Sequence, residues 1–182
     1  MGRALLLTGR PGIGKTTVIR AVVSQWSAQA GGFYTEEVRE RGRRTGFQLI
    51  TLDGQRGILA SVDTPGPYRV GRYGVNLREL EQIGVAALRR AVDQTDVSLI
   101  VIDEIGKMEL FSRAFRDAVQ AALVSPKPIL AAIMAAPHPW VDAIKARSNV
   151  LLVEVTHENR QRLPEQIMRW LRSEQKDGLL DV

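Results

Sequence analysis

The chain has 182 residues, of which 45% are hydrophobic and 25% are charged. These values are ordinary for a globular protein with a proper core. The absence of cysteine excludes disulfides, thiolate metal sites and cysteine nucleophiles, and only two histidines, His138 and His157, disfavour a histidine zinc site. No apolar run has the length of a membrane span and the N-terminus lacks a signal-peptide layout, so we expect a cytoplasmic protein without a membrane segment.

The net charge of +5 and the pI of about 10.0 raise the question of nucleic-acid binding. The positive residues are scattered except for one cluster in a predicted hairpin turn, formed by Arg39, Arg41, Arg43 and Arg44. A solvated turn explains this cluster as well as a binding patch does. Aromatic residues make up only 5% of the chain, which argues against a platform for base stacking. Nucleic acid is therefore a disfavoured partner that the sequence does not exclude.

A glycine-rich segment lies between an apolar run, Ala4–Leu7, and a helical pattern at Thr17–Trp26. It reads Gly9, Arg10, Pro11, Gly12, Ile13, Gly14, Lys15 and Thr16, which is the G-x-x-x-x-G-K-[ST] phosphate loop in its strand–loop–helix setting. The glycines let backbone N–H groups wrap around phosphate oxygens at a helix N-terminus. Lys15 is the expected cation for the β- and γ-phosphates, and Thr16 the expected hydroxyl ligand of Mg²⁺. The segment predicts binding of a nucleoside triphosphate rather than a chance glycine-rich turn.

The first half of the chain predicts one strand and one helix, followed by an antiparallel meander. The strand Arg3–Thr8 is apolar enough for the centre of a parallel sheet covered on both faces. The helix Lys15–Gln29 is expected to end near Gly31-Gly32. The strands of the meander are predicted at Phe33–Arg39, Thr45–Leu52 and Gly57–Ala60.

Residues 63–76 are rich in glycine and proline and predict a loop, whose portion Arg69–Gly74 could fold over a ligand. The loop begins with Asp63-Thr64-Pro65-Gly66, which imitates the D-x-x-G element of GTPases. This tetrapeptide does not follow a strong central strand, and no N-K-x-D guanine-reading motif appears downstream. We therefore interpret it as a turn, and a GTPase switch is disfavoured.

The second half of the chain alternates helices and strands, which is the pattern of a mostly parallel sheet. Helices are predicted at Leu77–Val92, Phe111–Val124, Val141–Arg147 and Glu158–Leu171, the last with Thr156 as its N-cap. Strands are predicted at Val97–Ile102, Pro128–Met134 and Val150–Val155. The sequence thus predicts one α/β phosphate-loop domain, residues 1–173, with helices on both faces of the sheet, an inserted meander and a flexible tail, residues 174–182.

Two carboxylates, Asp103 and Glu104, follow the most apolar predicted strand. A carboxylate at the end of a buried strand is what phosphate-loop proteins use to hold the hydrated Mg²⁺, and Asp103 fits that role beside Thr16. A glutamate directly after it can polarise an attacking water, so Glu104 points to hydrolysis. The alternative is that both residues only cap the next turn or helix.

Phosphoryl transfer also requires positive charge near the developing transition state. The candidates are Arg72, Lys107, Arg113 and Arg160, although a surface salt bridge or a solvated side chain is the better explanation for an arginine or lysine that no motif places. Arg10 is closest to the anion by sequence, but its side chain can also point outward, so the sequence does not choose among the five. Both histidines are expected at the surface. Glu36 and Glu37 are neighbours in a strand and face opposite sides of the sheet, so at most one of them reaches a nucleotide, and surface roles are expected.

Several segments together resemble one small family. They are Gly9–Thr17, Gly32–Arg39 and Asp103–Phe111, with Thr45–Phe47 and Thr156–Arg160 in addition. This combination resembles the phosphate-loop nucleoside-triphosphatases described from a thermophilic bacterium and, in vertebrates, as cancer-related nucleoside-triphosphatase. The similarity covers nearly the whole chain, from about residue 4 to residue 171.

The resemblance implies a RecA-like fold and slow, Mg²⁺-dependent hydrolysis of ATP, GTP, CTP and UTP or TTP to the diphosphate and phosphate, with little base selectivity. It also implies a nucleotide site made by Gly9–Thr16 and by Leu99, Ile100, Val101, Ile102, Asp103, Glu104, Ile105 and Gly106. One departure is Ile133–Pro137, where relatives tend to carry a threonine near the strand end. A polar contact from this strand to the γ-phosphate or the attacking water is therefore not carried over.

The leading hypothesis is an enzyme that hydrolyses nucleoside triphosphates, with Lys15 and Glu104 as catalytic residues and with Thr16 and Asp103 placing Mg²⁺. One alternative is a small-molecule or polynucleotide kinase, in which Glu104 deprotonates an acceptor hydroxyl and residues 63–76 and the meander form the acceptor pocket. Another is a nucleotide-dependent interaction module without turnover. A monomer is compatible with the sequence, which identifies neither the physiological substrate nor the oligomeric state.

Overall fold

The computed structural model describes residues 2–173, and the predicted tail at residues 174–182 lies outside the described residues. The strands are β1 (Ala4–Thr8), β2 (Gln29–Glu40), β3 (Arg43–Thr51), β4 (Arg56–Ser61), β5 (Arg69–Val70), β6 (Tyr73–Val75), β7 (Val97–Ile105), β8 (Ile129–Ile133) and β9 (Val150–Glu154). They form one nine-stranded sheet in the order β5-β6-β4-β3-β2-β7-β8-β1-β9.

The α-helices of the described chain are α1 (Lys15–Gln25), α2 (Leu77–Glu79), α3 (Ala86–Asp93), α4 (Arg113–Val124), α5 (Pro139–Lys145) and α6 (Leu163–Arg172). A π-helical segment, Leu80–Val85, joins α2 to α3, so the predicted helix over Leu77–Val92 is present as one run. A 3₁₀ turn, Glu109–Phe111, precedes α4. Within residues 2–173, no helix combines the length and the apolar character needed to cross a membrane.

The parallel half of the sheet consists of β2, β7, β8, β1 and β9. Alternate residues of these strands supply two hydrophobic cores. One core contains residues of α1 and α6, and the core on the opposite face contains residues of α3, α4 and α5. Because both faces are covered, β1, β7 and β8 read as nearly continuous apolar runs in the sequence, which is why these three strands were predictable.

Strand β8 lies between β1 and β7. The strand that leads into the phosphate loop and the strand that carries Asp103 are therefore next-nearest neighbours. Since β1, β8 and β7 are parallel, their carboxyl ends meet at one edge of the sheet. Ligands of open α/β sheets bind outside this edge.

The antiparallel meander is present as predicted and extends the sheet beyond β2, with β3 and β4 paired in turn. The prediction of a loop over residues 63–76 is wrong in part, because β5 and β6 form a hairpin that pairs with β4. Gly74 permits this close packing, since a Cβ there would lie 2.0 Å from the carbonyl oxygen of Thr64. The segment Arg69–Gly74 is thus part of the sheet edge and is not free to fold over a ligand.

The predicted end of the first helix is wrong. Helix α1 ends at Gln25, and the glycine pair that was expected to stop it lies inside β2. The pair serves close packing instead: a Cβ on Gly31 would lie 2.8 Å from Cβ of Ala91, and one on Gly32 would lie 2.0 Å from the carbonyl oxygen of Val101. Glycine is required here because neighbouring backbone and α3 occupy the space of a side chain.

Two further helices begin later than predicted. The helix predicted from Phe111 begins at Arg113, because the Ser112 side chain accepts a hydrogen bond from the backbone N–H of Phe115 and caps it. The last helix begins at Leu163 rather than at Glu158. The residues before it form a hydrogen-bonded turn that Thr156 caps, so Thr156 is not the N-cap of α6.

Candidate active site at the carboxyl edge of the sheet

The phosphate loop connects β1 to α1 at the carboxyl edge of the parallel strands. The φ angles of Gly9, Gly12 and Gly14 are 137°, 76° and 114°, a region that residues with a side chain rarely adopt. Gly14 is the N-cap residue of α1, so the loop runs directly into the positive end of a helix dipole. The prediction that these positions need glycine for the loop to wrap is confirmed.

Lys15 is the first residue of α1 and is only 8% exposed. Its Nζ donates to the carbonyl oxygens of Gly9, at 3.0 Å, and Arg10, at 3.3 Å. These bonds hold the ammonium group against the loop instead of in bulk solvent. An ammonium group held there can bind a phosphate oxygen through a charge-assisted hydrogen bond.

Strand β7 extends beyond the predicted end and includes both Asp103 and Glu104. The interpretation that they only cap a turn is therefore wrong. Asp103 is 1% exposed, and its burial raises the pKa of the carboxyl to about 6. Hydrogen bonding with the Thr16 side chain opposes this rise in pKa, the charge of Glu104 adds to it, and the charge of Lys15 opposes it.

Asp103 and Thr16 together suit a hard divalent cation. The Oδ2 atom of Asp103 is buried and has no hydrogen-bond partner among residues 2–173. A buried carboxylate oxygen without a partner costs free energy unless a donor or a cation completes its environment. Carboxylate and hydroxyl oxygens are the ligand types that Mg²⁺ takes, together with water and phosphate oxygens. The residues present fit the magnesium site that the sequence predicts.

Glu104 is half-buried at the same edge, and its carboxylate has no hydrogen-bond or ion-pair partner within residues 2–173. A Cβ built on Gly106 would lie 3.4 Å from Cδ of Glu104 and 3.2 Å from Oε2 of Glu109. The two carboxyl groups therefore border the same small space above Gly106. A carboxylate without a partner in this position is available to accept a hydrogen bond from a water molecule.

Glu109 is a residue of this site that the sequence reasoning missed. It is 4% exposed, and its Oε2 accepts a hydrogen bond from the backbone N–H of Gly106 at 3.1 Å. Burial raises the pKa of the Glu109 carboxyl to about 8, and the nearby charge of Glu104 contributes to the rise. Glu109 lies within the segment Asp103–Phe111, which already stood out in the sequence. The spacing of residues in that segment does not distinguish a carboxyl that is buried in a 3₁₀ turn from one that is exposed there.

Two of the candidate cations lie at the phosphate loop. Arg160 Nη1 donates to the carbonyl oxygen of Ile13 at 3.3 Å. Arg10 Nη2 lies 2.5 Å from Nε2 of His157, which is exposed at the surface as predicted and faces the loop. Both contacts join the loop to the turn that follows β9.

The other candidate cations have different surroundings. Arg72 donates to the backbone carbonyl of Arg44 within the meander. Arg113 has an 87% exposed side chain and is paired with Asp117 on α4 at 3.8 Å. Lys107 is exposed in the turn that follows β7. The contacts of these three side chains do not involve the phosphate loop.

The apolar residues of the predicted nucleotide site support β7 from within the sheet. Leu99 and Val101 lie in the core beneath α1, whereas Ile100 and Ile102 lie in the core on the opposite face. Ile105 is buried as well. The side chains of this segment that reach the edge of the sheet are those of Asp103 and Glu104.

The remaining acidic and histidine candidates have structural partners. Glu36 pairs with Arg20 of α1 at 2.5 Å. Glu37 pairs with Arg44 of the meander at 2.6 Å, as expected for neighbours on opposite faces of a strand. His138 is the N-cap residue of α5, where its side chain accepts a hydrogen bond from a backbone N–H.

The strand order and the glycine loop at the start of α1 define a RecA-like phosphate-loop protein of the α/β class. A family model described as NTPase matches residues 4–168, and the chain belongs to this family. The nucleoside-triphosphatase THEP1 of Thermotoga maritima is 51% identical over 168 residues, which are 92% of this chain and 95% of the relative. The human cancer-related nucleoside-triphosphatase is 40% identical, with 97% of this chain and 100% of the relative covered.

Solved structures of two relatives have the same fold. The crystal structure of THEP1 from the hyperthermophile Aquifex aeolicus has a TM-score of 0.84 at 38% identity and covers 93% of this chain and 99% of its own. The solution structure of a human cancer-related nucleoside triphosphatase has a TM-score of 0.80 at 40% identity and covers 96% of this chain and 100% of its own. The predicted family and the predicted fold class are both confirmed.

Proposed function

We propose that the protein is a Mg²⁺-dependent nucleoside-triphosphatase that hydrolyses ATP, GTP, CTP and UTP or TTP to the diphosphate and phosphate, with little base selectivity. The observation that carries the proposal is the buried Asp103 carboxyl, whose Oδ2 lacks a partner among residues 2–173, and which interacts with the Thr16 side chain by hydrogen bonding and with the charge of Lys15. The relatives in the family are named nucleoside-triphosphatases, which supports the reaction type.

The phosphate chain lies along the loop Gly9–Thr16. Lys15 exchanges its bonds to the loop carbonyls for bonds to phosphate oxygens, and the N–H groups at the start of α1 bind the same oxygens. The ammonium group and the helix dipole counter the charge that develops on the transferred phosphoryl group. Thr16 and Asp103 would hold Mg²⁺, which would supply positive charge to offset the negative charge of the phosphates.

Glu104 orients the attacking water. The water oxygen forms a bond to the γ-phosphorus, the bond from phosphorus to the β,γ-bridging oxygen breaks, and the leaving diphosphate keeps that electron pair. The proton released by the water passes to the Glu104 carboxylate, which has no competing partner within residues 2–173. The products are a nucleoside diphosphate and inorganic phosphate.

Release of inorganic phosphate from ATP, GTP, CTP and UTP tests this proposal directly. With Mg²⁺ we expect turnover of all four nucleotides, with kcat/KM values within about tenfold of one another, because the loop binds phosphates and not bases. With EDTA in place of Mg²⁺ we expect turnover to be lost, since Thr16 and Asp103 then lack the cation they hold. No release from any nucleotide, with binding intact, would contradict the proposal and favour a kinase or an interaction module.

The extent of the domain is proposed as well. Both hydrophobic cores pack on the same sheet, and this supports one domain over residues 1–173. The kinase alternative is less supported, because residues 69–75 of the segment expected to form an acceptor pocket lie in a hairpin at the sheet edge.

A further inference from the structure

Two carboxyl side chains pack around Gly106, the first residue after β7. A Cβ on Gly106 would lie 3.4 Å from both Cγ and Cδ of Glu104 and 3.2 Å from Oε2 of Glu109. The backbone of Gly106 is therefore part of the surface against which the Glu104 side chain packs. Glu104 has no hydrogen bond or ion pair within residues 2–173, so packing rather than a polar contact restricts its rotamer.

The backbone of Gly106 is held on both sides of its Cα. Its N–H donates to Oε2 of Glu109 at 3.1 Å, and its carbonyl oxygen accepts from the N–H of Leu110 at 3.1 Å. Gly106 is buried, so without Glu109 its N–H would lose a partner in a place that bulk water does not reach. A side chain that follows three residues later thus fixes the peptide group next to Glu104.

Glu109 is a buried carboxyl that takes no part in the reaction steps described above. It begins the 3₁₀ turn Glu109–Phe111, and burial raises its pKa to about 8. Burying a carboxyl costs free energy that one hydrogen bond to a backbone N–H offsets only in part. A costly buried group next to a reactive side chain indicates a role in function rather than in stability.

We propose that Glu109 is a positioning residue for hydrolysis: it holds the backbone of Gly106, which keeps the Glu104 carboxylate where it accepts the proton of the attacking water. The proposal rests on the proposed function and deepens it. Glu109 contacts neither nucleotide nor water and acts through Glu104. Since a displacement of roughly 1 Å can cost about 100-fold in rate, loss of the bond to Gly106 is expected to lower kcat.

Three variants separate this role from a structural one. Glu109→Met removes the acceptor but keeps an unbranched side chain of similar volume, whose apolar end suits a buried position. Glu109→Gln keeps an oxygen that accepts from the Gly106 N–H and is neutral, as the raised pKa favours for the carboxyl at pH 7. Ser112→Ala is the control, because it removes the cap of α4 in the same turn without touching Gly106.

Phosphate release from MgATP, with protein in excess so that slow turnover is measurable, and Kd on the same samples test the proposal. We expect Glu109→Met to lower kcat by about ten- to hundredfold and to leave Kd within about twofold. Glu109→Gln is expected to keep kcat within about threefold, and Ser112→Ala to change neither quantity by more than about twofold. In a Glu104→Gln background, Glu109→Met is expected to cost less than about twofold more, because the side chain it positions is already inactive.

Three results would overturn the proposal. One is a Glu109→Met protein that retains kcat, and another is an equal loss of kcat in both backgrounds, since Glu109 would then act independently of Glu104. The third is a Glu109→Gln protein as slow as Glu109→Met, because the bond to Gly106 would then not be what matters.

If thermal unfolding shows that Glu109→Met is not folded, Gly106→Ala takes its place. The added Cβ presses on Cγ and Cδ of Glu104, and the same loss of kcat is expected only where Glu104 is present. No phosphate release from the unmodified protein would refute the proposed function and this inference together. The three results above refute the role of Glu109 alone, so the two failures are distinguishable.

Discussion

Three carboxyl groups, those of Asp103, Glu104 and Glu109, lie close together at the end of β7. Burial raises the pKa of two of them. The pKa of Asp103 is raised to about 6 and that of Glu109 to about 8, both chiefly by burial. Three negative charges in this space would repel a triphosphate. A Glu109 that keeps its proton at neutral pH lowers the charge of the cluster while it still holds the backbone of Gly106.

The raised pKa of Glu109 makes stability depend on pH. Between the ordinary pKa of 4.5 and about 8, the folded state binds a proton that the unfolded state has lost. The free energy of unfolding contributed by this group is therefore fully present below pH 4.5 and falls as pH rises towards 8. Glu109→Gln has no such proton, so relative to the unmodified protein we expect it to gain up to about 4 kcal/mol between pH 5 and pH 8.

Urea unfolding at intervals across this pH range measures the effect. Glu40→Gln, which removes an exposed carboxyl at the end of β2, is the matched control and is expected to follow the unmodified protein. Parallel stability curves for Glu109→Gln and the unmodified protein would show that Glu109 titrates normally and would refute the neutral-carboxyl account.

At the scale of elements, the turn between β9 and α6 is rigid because the Asn159 side chain makes two hydrogen bonds to its backbone. Oδ1 of Asn159 accepts from the N–H of Thr156, and Nδ2 donates to the carbonyl oxygen of Glu154. Asn159→Ala removes these side-chain bonds, and we expect it to lower the free energy of unfolding by about 1–2 kcal/mol. Because the turn holds Arg160 against the phosphate loop, we also expect MgATP affinity to fall by about three- to tenfold. Urea unfolding and equilibrium binding measure the two effects.

Asn149 offers a control at the opposite edge of the sheet. Its amide donates to the carbonyl oxygens of Gly2 and Leu123, at 2.8 and 3.2 Å, just before β9 begins. Asn149→Ala is expected to destabilise the protein without weakening MgATP binding. If both variants lose affinity in proportion to stability, the effect of Asn159 is general and the turn has no specific link to the nucleotide.

At the scale of the whole molecule, sequence reasoning succeeded where one physical signal dominated. The apolar runs of β1, β7 and β8 predicted a covered parallel sheet, and the glycines of the loop predicted its backbone. The sequence-based prediction failed where the role of a residue depends on packing against a part of the chain that is distant in sequence. The pair Gly31-Gly32 looked like a helix stop, but its space is taken by α3 and β7, which come much later in the chain.

The candidate site shows the same division. Lys15, Thr16, Asp103 and Glu104 lie in short motifs, so the sequence could single them out, and their catalytic and metal-binding roles stay predictions. Arg160 could not be separated from other arginines, because the contact that distinguishes it joins residues 147 positions apart. Only the strand order, which brings the loop after β1 and the turn after β9 to one edge, makes that contact visible.

The central claim is that Glu104 activates water for hydrolysis of a nucleotide held by the phosphate loop. Phosphate release from MgATP by the unmodified protein and by Glu104→Gln, with Kd measured on the same samples, tests it most directly. Glu165→Gln, an exposed carboxyl on α6, serves as the control. The account predicts that Glu104→Gln lowers kcat by about 100-fold or more at an unchanged Kd, because the amide cannot accept the proton of water. Release by Glu104→Gln at the rate of the unmodified protein would contradict it.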